Sequence, residues 1–164
     1  MAAAYSLDSY GRMLSDEPRM TAYAEAIRTA VKPGSIVLEL GTGTGIMALM
    51  ACQAGARRVY ALEPADSILV ARQTASRNGF ADRIVFIQSL SNRIDLPKKC
   101  DVSISDMRGI QPMASSHLVD LMDARERLLT PGAIWICQKD RLRVAAACVT
   151  NKRDQVWSRG DGSR

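Results

Sequence analysis

The sequence predicts an α/β fold built on a doubly wound, mostly parallel sheet, and three observations carry that reading. Short apolar runs alternate with helix-patterned segments for about 100 residues, the order that produces parallel strands joined by helical crossovers. The runs are apolar at consecutive positions rather than at every second one, as in strands covered on both faces. The first run also opens directly into a glycine-rich turn that begins a helix, the place where such a sheet holds a nucleotide-like ligand.

Taken in order, residues Asp16 to Val31 have helical spacing. Asp16 is placed to cap the first turn, Pro18 lies inside it, and Met20, Tyr23, Ala24, Ile27 and Val31 share one face. Pro33-Gly34 ends that helix, and Ser35 to Leu40 (SIVLEL) forms the first strand. Ile46 to Ala54 is helical up to Gly55, Val59 to Leu62 is the second strand, and Asp66 to Arg77 is a helix closed by Asn78-Gly79. Strands follow at Ile84 to Ile87 and Val102 to Ser105, then a helix over Ser116 to Leu129 with Leu118, Leu121, Met122, Arg125 and Leu128 at helical spacing. Thr130-Pro131-Gly132 is expected to turn the chain into a fifth strand, Ala133 to Cys137. Beyond Asp140 the pattern fades: Leu142 to Val149 fits an edge strand or a short helix, and Thr150 to Arg164 reads as a frayed terminus.

Composition narrows the class. The 164 residues suffice for one domain with a core, and 47% hydrophobic with 24% charged residues is a globular balance. No apolar run reaches the roughly 18 residues of a membrane span, and MAAAYSLDSYGR lacks a basic segment followed by an apolar stretch, so a cytoplasmic location is expected. Cys52, Cys100, Cys137 and Cys148 are scattered without a CxxC pair, which predicts reduced thiols and no metal site. The net charge of +5 owes much to Lys139 to Arg164, outside any helical stripe, which gives no specific nucleic-acid signal.

The ligand signal is Glu39-Leu40-Gly41-Thr42-Gly43-Thr44-Gly45 between the first strand and its helix. Glycine belongs there because the backbone must turn with positive φ and a side chain would block a ligand. A dinucleotide fingerprint is GxGxxG with pyrophosphate on the helix N-terminus, whereas here the spacing is GxGxG and Ile46 stands at the last glycine position. An NAD-dependent oxidoreductase is therefore disfavoured. Glu63 ends the second strand, where a carboxylate can accept both hydroxyls of an adenosine ribose, and acidic Glu39 suits a ligand with a cationic amino-acid end. A dinucleotide carries such a ribose as well, so it is the GxGxG loop with Glu39 that favours S-adenosylmethionine.

Tyr10-Gly11-Arg12-Met13-Leu14-Ser15-Asp16 with Arg19 and Tyr23, then VLELGTGTGIMAL, AGARRVYALE, LPKKCDVSISDMRG and DARERLLTPGA, resemble the catalytic half of the protein arginine methyltransferases over about residues 5 to 140. The resemblance implies a Rossmann-like class I methyltransferase fold without the family's C-terminal β-barrel. It divides the chain into an N-terminal helical segment (1–34) covering the cofactor site, a cofactor-binding core (35–140) and a partly disordered extension (141–164). By the same resemblance Met13 lines the cofactor site, Arg19 binds the methionine carboxylate, Gly41 to Gly45 cradle the amino-acid part, Glu63 holds the ribose, and Ser91 and Asn92 lie beside the adenine. The candidate cofactor contacts are then Met13, Arg19, Glu39, Gly41, Thr42, Gly43, Thr44, Gly45, Ile46, Glu63, Pro64, Leu90, Ser91, Asn92 and Asp106.

In this family two glutamates on the loop after the fourth strand grip the substrate guanidinium. Here the loop reads Ser105-Asp106-Met107-Arg108-Gly109: Asp106 replaces the first glutamate, Ser115 falls where the second would stand, and Met107 replaces a tryptophan. Fewer carboxylates and the added Arg108 should weaken and oppose arginine binding, leaving protein arginine and small molecules both open as acceptors. Asp106, at the end of a central strand, is the candidate catalytic residue for steering or deprotonating the acceptor, and its replacement by Asn should cut turnover with cofactor affinity nearly intact. His117, the sole histidine of the chain, is expected to be a partly exposed structural residue near the crevice. A cofactor-binding module without turnover is the alternative to an active enzyme; the sequence does not fix the oligomeric state.

Overall fold

A computed structural model describes residues 6–108 and 117–145. Within them two helices, α1 (Leu7–Leu14) and α2 (Glu17–Ala30), precede β1 (Ile36–Leu40). Then α3 (Ile46–Gln53), β2 (Arg58–Leu62), α4 (Ser67–Arg77), β3 (Ile84–Ile87), a 3₁₀ turn (Ser91–Arg93), β4 (Cys100–Ser105), α5 (His117–Arg127) and β5 (Leu129–Ile136) follow. The five strands form one sheet in the order β3-β2-β1-β4-β5, and every pair is parallel. The doubly wound parallel sheet expected from the apolar runs is the fold observed.

Residue alternation along the strands sorts the core into two layers. Val37, Val59, Ala61, Val102 and Ile104 face the layer packed by Tyr23, Ile27 and Ala30 of α2, by α3, and by Ile68, Ala71 and Ala75 of α4. Leu38, Leu40, Tyr60 and Leu62 face the opposite layer, covered by Ala124 of α5 with Leu128 and Leu129. Because winding reverses between β1 and its neighbour β4, the loops after these two strands diverge and leave a crevice at their C-terminal ends.

Two local features differ from the sequence reading. The N-terminal stretch contains a separate helix, α1, capped by Ser6, whose hydroxyl accepts from the Ser9 amide at 3.1 Å. A signal for it was present, since Leu7, Tyr10, Met13 and Leu14 recur at helical spacing after a capping serine. Thr130-Pro131-Gly132 is not a turn before the strand but lies within β5 as a bulge: Cys100 pairs with Leu129 and Val102 with Ile134, so two steps along β4 meet five along β5. Residues 141–145 carry no regular structure; the rest of the predicted edge element, the frayed terminus and Cys148 lie outside the described residues.

Candidate functional site

Three loops meet at the crevice: the glycine turn after β1, the segment after β2 that begins with Glu63, and the segment after β4 that begins with Asp106. The turn after β3 carrying Leu90, Ser91 and Asn92 flanks them. The elements thus bring the predicted residues to one end of the sheet, with Pro64, Leu90 and Asn92 exposed, Ser91 buried, and Met13, Thr44 and Ile46 half-buried.

Alternation along β1 sends Glu39 to the α3 side, where it is 3% exposed. The Thr42 hydroxyl donates to it at 2.6 Å, and the Ala48 amide in the first turn of α3 donates as well. Burial pushes its carboxyl up to about 8, against the pull of those two donors and with a further push from Glu63. Glu63, 7% exposed, accepts from the Gly43 amide at 3.0 Å with one oxygen and from the Ala65 amide at 3.0 Å with the other. Each oxygen keeps lone-pair capacity for a hydroxyl.

Four backbone donors of the turn are engaged within the protein. Gly41 and Thr42 both donate to the Leu62 carbonyl at 2.9 Å, Gly43 donates to Glu63, and Gly45 donates to the Thr42 carbonyl at 2.8 Å. A pyrophosphate-binding loop needs those amides pointing at the ligand. With four of those amides taken and the Glu63 carboxyl group beside them, the arrangement suits a ligand with hydroxyl groups better than a phosphate.

Glycine is required in the turn on two counts. Gly43 has φ +54°, and a Cβ there would lie 2.5 Å from Cε1 of Tyr10, because α1 seats that ring on the turn. Gly45 has φ +85°, and a Cβ would lie 2.9 Å from Cβ of Ala71, because the residue that caps the start of α3 lies against α4. Tyr10 had not been singled out among the candidate cofactor contacts, although it stood within the motif used for the resemblance. Its hydroxyl also reaches Oγ of Ser67, 3.4 Å away, tying α1 to α4.

Across the crevice, Asp106 is met by Arg19. Nε of Arg19 donates to Oδ2 of Asp106 at 3.0 Å and Nη2 donates to the same oxygen, with the side chains 31% and 22% exposed. Tyr23 stands behind the pair: burial, and then the Asp106 charge, raise its phenol above the usual value, and its hydroxyl lies 3.6 Å from the Cys137 thiol. The two loops touch through Met107, whose Cγ lies 2.7 Å from where a Cβ on Gly41 would be.

Two expectations change here. Arg108 does not present a free cation: Nε donates to Asp140 at 2.7 Å, Nη1 to the Ser105 carbonyl at 2.9 Å and Nη2 to the Cys137 carbonyl at 3.4 Å. Its charge is met by a carboxylate, so the repulsion expected from it is cancelled locally. His117 is 3% exposed rather than partly exposed: it points inward from the first turn of α5, whose Leu118 and Val119 face outward. Ser115 and Gly109 lie outside the described residues.

A further residue missed in sequence is Arg127, which clasps the turn after β3. It bonds both oxygens of Asp123 at 2.7 Å and donates to the carbonyls of Ser91 at 2.7 Å and Ile94 at 2.9 Å. The pairing of Asp123 and Arg127 at (i, i+4) was legible; the reach across to Ser91 was not.

Comparison with known proteins agrees with this geometry. The family profile described as ribosomal protein L11 methyltransferase (PrmA) matches residues 21–137. The chain is 38% identical over 135 residues to protein arginine N-methyltransferase PRMT10 of Oryza sativa subsp. japonica, covering 81% of this chain and 36% of that protein. It is 34% identical over 157 residues to ribosomal protein arginine N-methyltransferase rmt3 of Schizosaccharomyces pombe, covering 92% and 29%. Among solved structures, Arabidopsis thaliana protein arginine methyltransferase 10, in an open conformation, superposes with TM-score 0.75 at 35% identity, covering 80% of this chain and 38% of that one. A Trypanosoma brucei PRMT1 enzyme–prozyme heterotetrameric complex with AdoHcy gives TM-score 0.72 at 33% identity, covering 77% and 40%. The chain spans about a third of the length of these curated relatives. With the profile extending over most of its residues and this sheet beneath the glycine turn, the chain belongs to that methyltransferase family and is a class I methyltransferase domain like those of the protein arginine methyltransferases.

Proposed function

We propose that the chain binds S-adenosylmethionine in the crevice and transfers its methyl group to an acceptor met by Asp106, with protein arginine as the first acceptor class to test. The observation that carries the reading is the glycine turn itself: the amides of Gly41, Thr42, Gly43 and Gly45 are engaged internally while Glu39 and Glu63 stand buried behind it. That arrangement supports a ribose on Glu63 over a pyrophosphate on the turn. In this reading Glu63 takes the ribose hydroxyls, Arg19 the carboxylate, the 91–92 turn the adenine edge, and Met13 lines the site from α1.

The cofactor supplies an electrophilic methyl group on a sulfonium. The protein's part is to orient the acceptor for in-line displacement and keep the two reactants in contact, which is where most of the rate comes from. Asp106 projects from a central strand end, where a carboxylate can fix a cationic or hydroxyl-bearing acceptor. Support for arginine comes from the relatives' names, and the neutralisation of Arg108 by Asp140 removes an obstacle to it. We include in the reading a cytoplasmic location, supported by the unbridged thiols of Cys52, Cys100 and Cys137; no described helix is long and apolar enough to cross a membrane.

Calorimetric titration with S-adenosylhomocysteine, with NADH as control, tests the cofactor. Micromolar binding lost in Glu63→Ala is the expected result, and no binding by folded protein sinks the reading. Methyl transfer to arginine peptides, then to small-molecule amines, tests the acceptor. A second reading, a cofactor-binding module without turnover, is favoured by one observation: the Asp106 charge is met by Arg19. Binding without transfer to any acceptor would select it.

A further inference from the structure

Arg127 ends α5, and every N–H of its guanidinium has an acceptor. Nε and one Nη2 hydrogen take the two oxygens of Asp123 one turn back, each at 2.7 Å. That pairing fixes the plane of the group, and the plane carries the other donors to the turn after β3: to the Ser91 carbonyl at 2.7 Å, the Ile94 carbonyl at 2.9 Å and the Asp95 carboxylate at 3.2 Å. A surface pair at (i, i+4) needs only the Asp123 contacts, so the donors directed at the turn are what a helix tie leaves unexplained. The turn has little hold on itself. Its 3₁₀ bonds run from the Arg93 amide to the Leu90 carbonyl at 3.2 Å and from the Ile94 amide to the Ser91 carbonyl at 3.4 Å, so the short, charge-assisted contact on Ser91 comes from α5. Because a peptide unit is planar, a Ser91 carbonyl held from outside also sets the orientation of the Asn92 amide.

From this geometry we infer that Arg127 is a positioning residue for base selectivity: by clamping the Ser91–Asn92 peptide from α5, it makes the turn read adenine and reject a 6-oxopurine. The inference rests on the cofactor reading above, in which the 91–92 turn meets the adenine edge. Adenine offers a donor and an acceptor on that edge, and hypoxanthine, its deaminated counterpart, offers the reverse. An asparagine side-chain amide can turn over to suit either base. A peptide plane clamped by a guanidinium cannot, and a fixed hydrogen-bonding edge is what penalises the wrong base. Arg127 acts on the ligand only through the turn. Lysine at 127 would keep a charge opposite Asp123 but carries its three donors on one nitrogen, which cannot span Asp123, Ser91 and Ile94 in one plane.

The test is calorimetry on the whole chain with two probes, S-adenosylhomocysteine and S-inosylhomocysteine, which differ only in the base, for wild type, Arg127→Lys, Asp123→Asn and Lys99→Ala. Lys99 is the control, because it too ties a neighbouring segment to the end of α5, donating to the Glu126 carbonyl at 2.9 Å by a bond that does not involve the turn. Wild type should prefer S-adenosylhomocysteine by roughly tenfold or more, the scale of one mismatched hydrogen-bonding pair. Arg127→Lys should bring that preference down to about threefold or less, chiefly by weakening S-adenosylhomocysteine. Asp123→Asn should move it the same way by less, and Lys99→Ala should leave it unchanged. Equal weakening of both probes in Arg127→Lys overturns the inference and makes Arg127 a structural tie. A wild type that binds both probes alike overturns it too, as does a Lys99→Ala variant that loses the preference to the same degree. If neither probe binds the folded wild type, the cofactor reading falls first and the inference with it. Should Arg127→Lys fail to fold by circular dichroism, Asp123→Asn carries the same contrast.

Discussion

The loop after β1 and the loop after β4 lie side by side at one end of the sheet, yet different forces hold them. The first is fixed by backbone: positive-φ glycines, amides bonded to Leu62, Thr42 and Glu63, and a tyrosine ring on its top. The second is fixed by charge: Asp106 by Arg19, and Arg108 by Asp140. A backbone-built loop accepts one shape of ligand and resists change, whereas a loop held by ion pairs can trade partners at small cost. The difference suits a site where one half recognises an invariant cofactor and the other handles the acceptor.

The largest effect that can break this contrast lies on the backbone-built side. Glu63→Ala leaves the Gly43 and Ala65 amides without their partner and should lower affinity for S-adenosylhomocysteine by on the order of 100-fold, read by calorimetry. Retained affinity would show that the ribose is held elsewhere. Next comes Gly45→Ala, which combines a left-handed φ with a close approach to Ala71 of α4. Chemical denaturation should find it destabilised by about 2–4 kcal/mol, and a cost under 1 kcal/mol would mean that α3 and α4 yield more easily than described. On the charge-held side, Arg108→Ala should reduce turnover several-fold while shifting the melting temperature by only about 2–4 °C, because a half-exposed tie is lost rather than a core contact. A larger thermal loss would place that loop with the rigid half.

A separate effect, read only as a slope, concerns Glu39 and pH. Its folded-state carboxyl is pushed from 4.5 up to about 8 by burial, so over that window the folded chain holds a proton that the unfolded chain has released. Stability therefore falls as pH rises from about 5 to about 8. In Glu39→Gln this part of the slope should disappear, as read from melting temperatures across the window. An unchanged slope would show that Glu39 is ionised in the folded protein.

Much of this molecule could be read from its residues, for identifiable reasons. Consecutive apolar positions such as those in SIVLEL located the buried strands because a parallel sheet covers both faces, and the turn after the first strand located the crevice. Glu39 and Glu63 fell where strand positions put them. What escaped depended on contacts between distant residues or on register. No local pattern joins Arg19 to Asp106, Arg108 to Asp140, or Arg127 to the carbonyl of Ser91. The bulge in β5 reads as a turn because Pro131-Gly132 has turn chemistry whether or not a neighbouring strand pairs beside it. The helix α1 differs: its apolar spacing and serine cap are present, but at eight residues with none fully buried it is too short for spacing alone to set it apart from a loop.

That bulge also bears on how the molecule behaves in company. Among the described residues β5 ends the sheet, and a sheet edge is a row of unpaired backbone groups on which another chain can lay a strand. Along its first half the edge is interrupted: Pro131 brings no N–H, and both Pro131 and Gly132 are exposed where five residues crowd against two. A foreign strand finds regular pairing only from Ala133 to Ile136, too short a stretch to nucleate stacking of one copy on the next. The same residues that disguise the strand in sequence thus make the β5 edge a poorer template for aggregation than an unbroken strand would be.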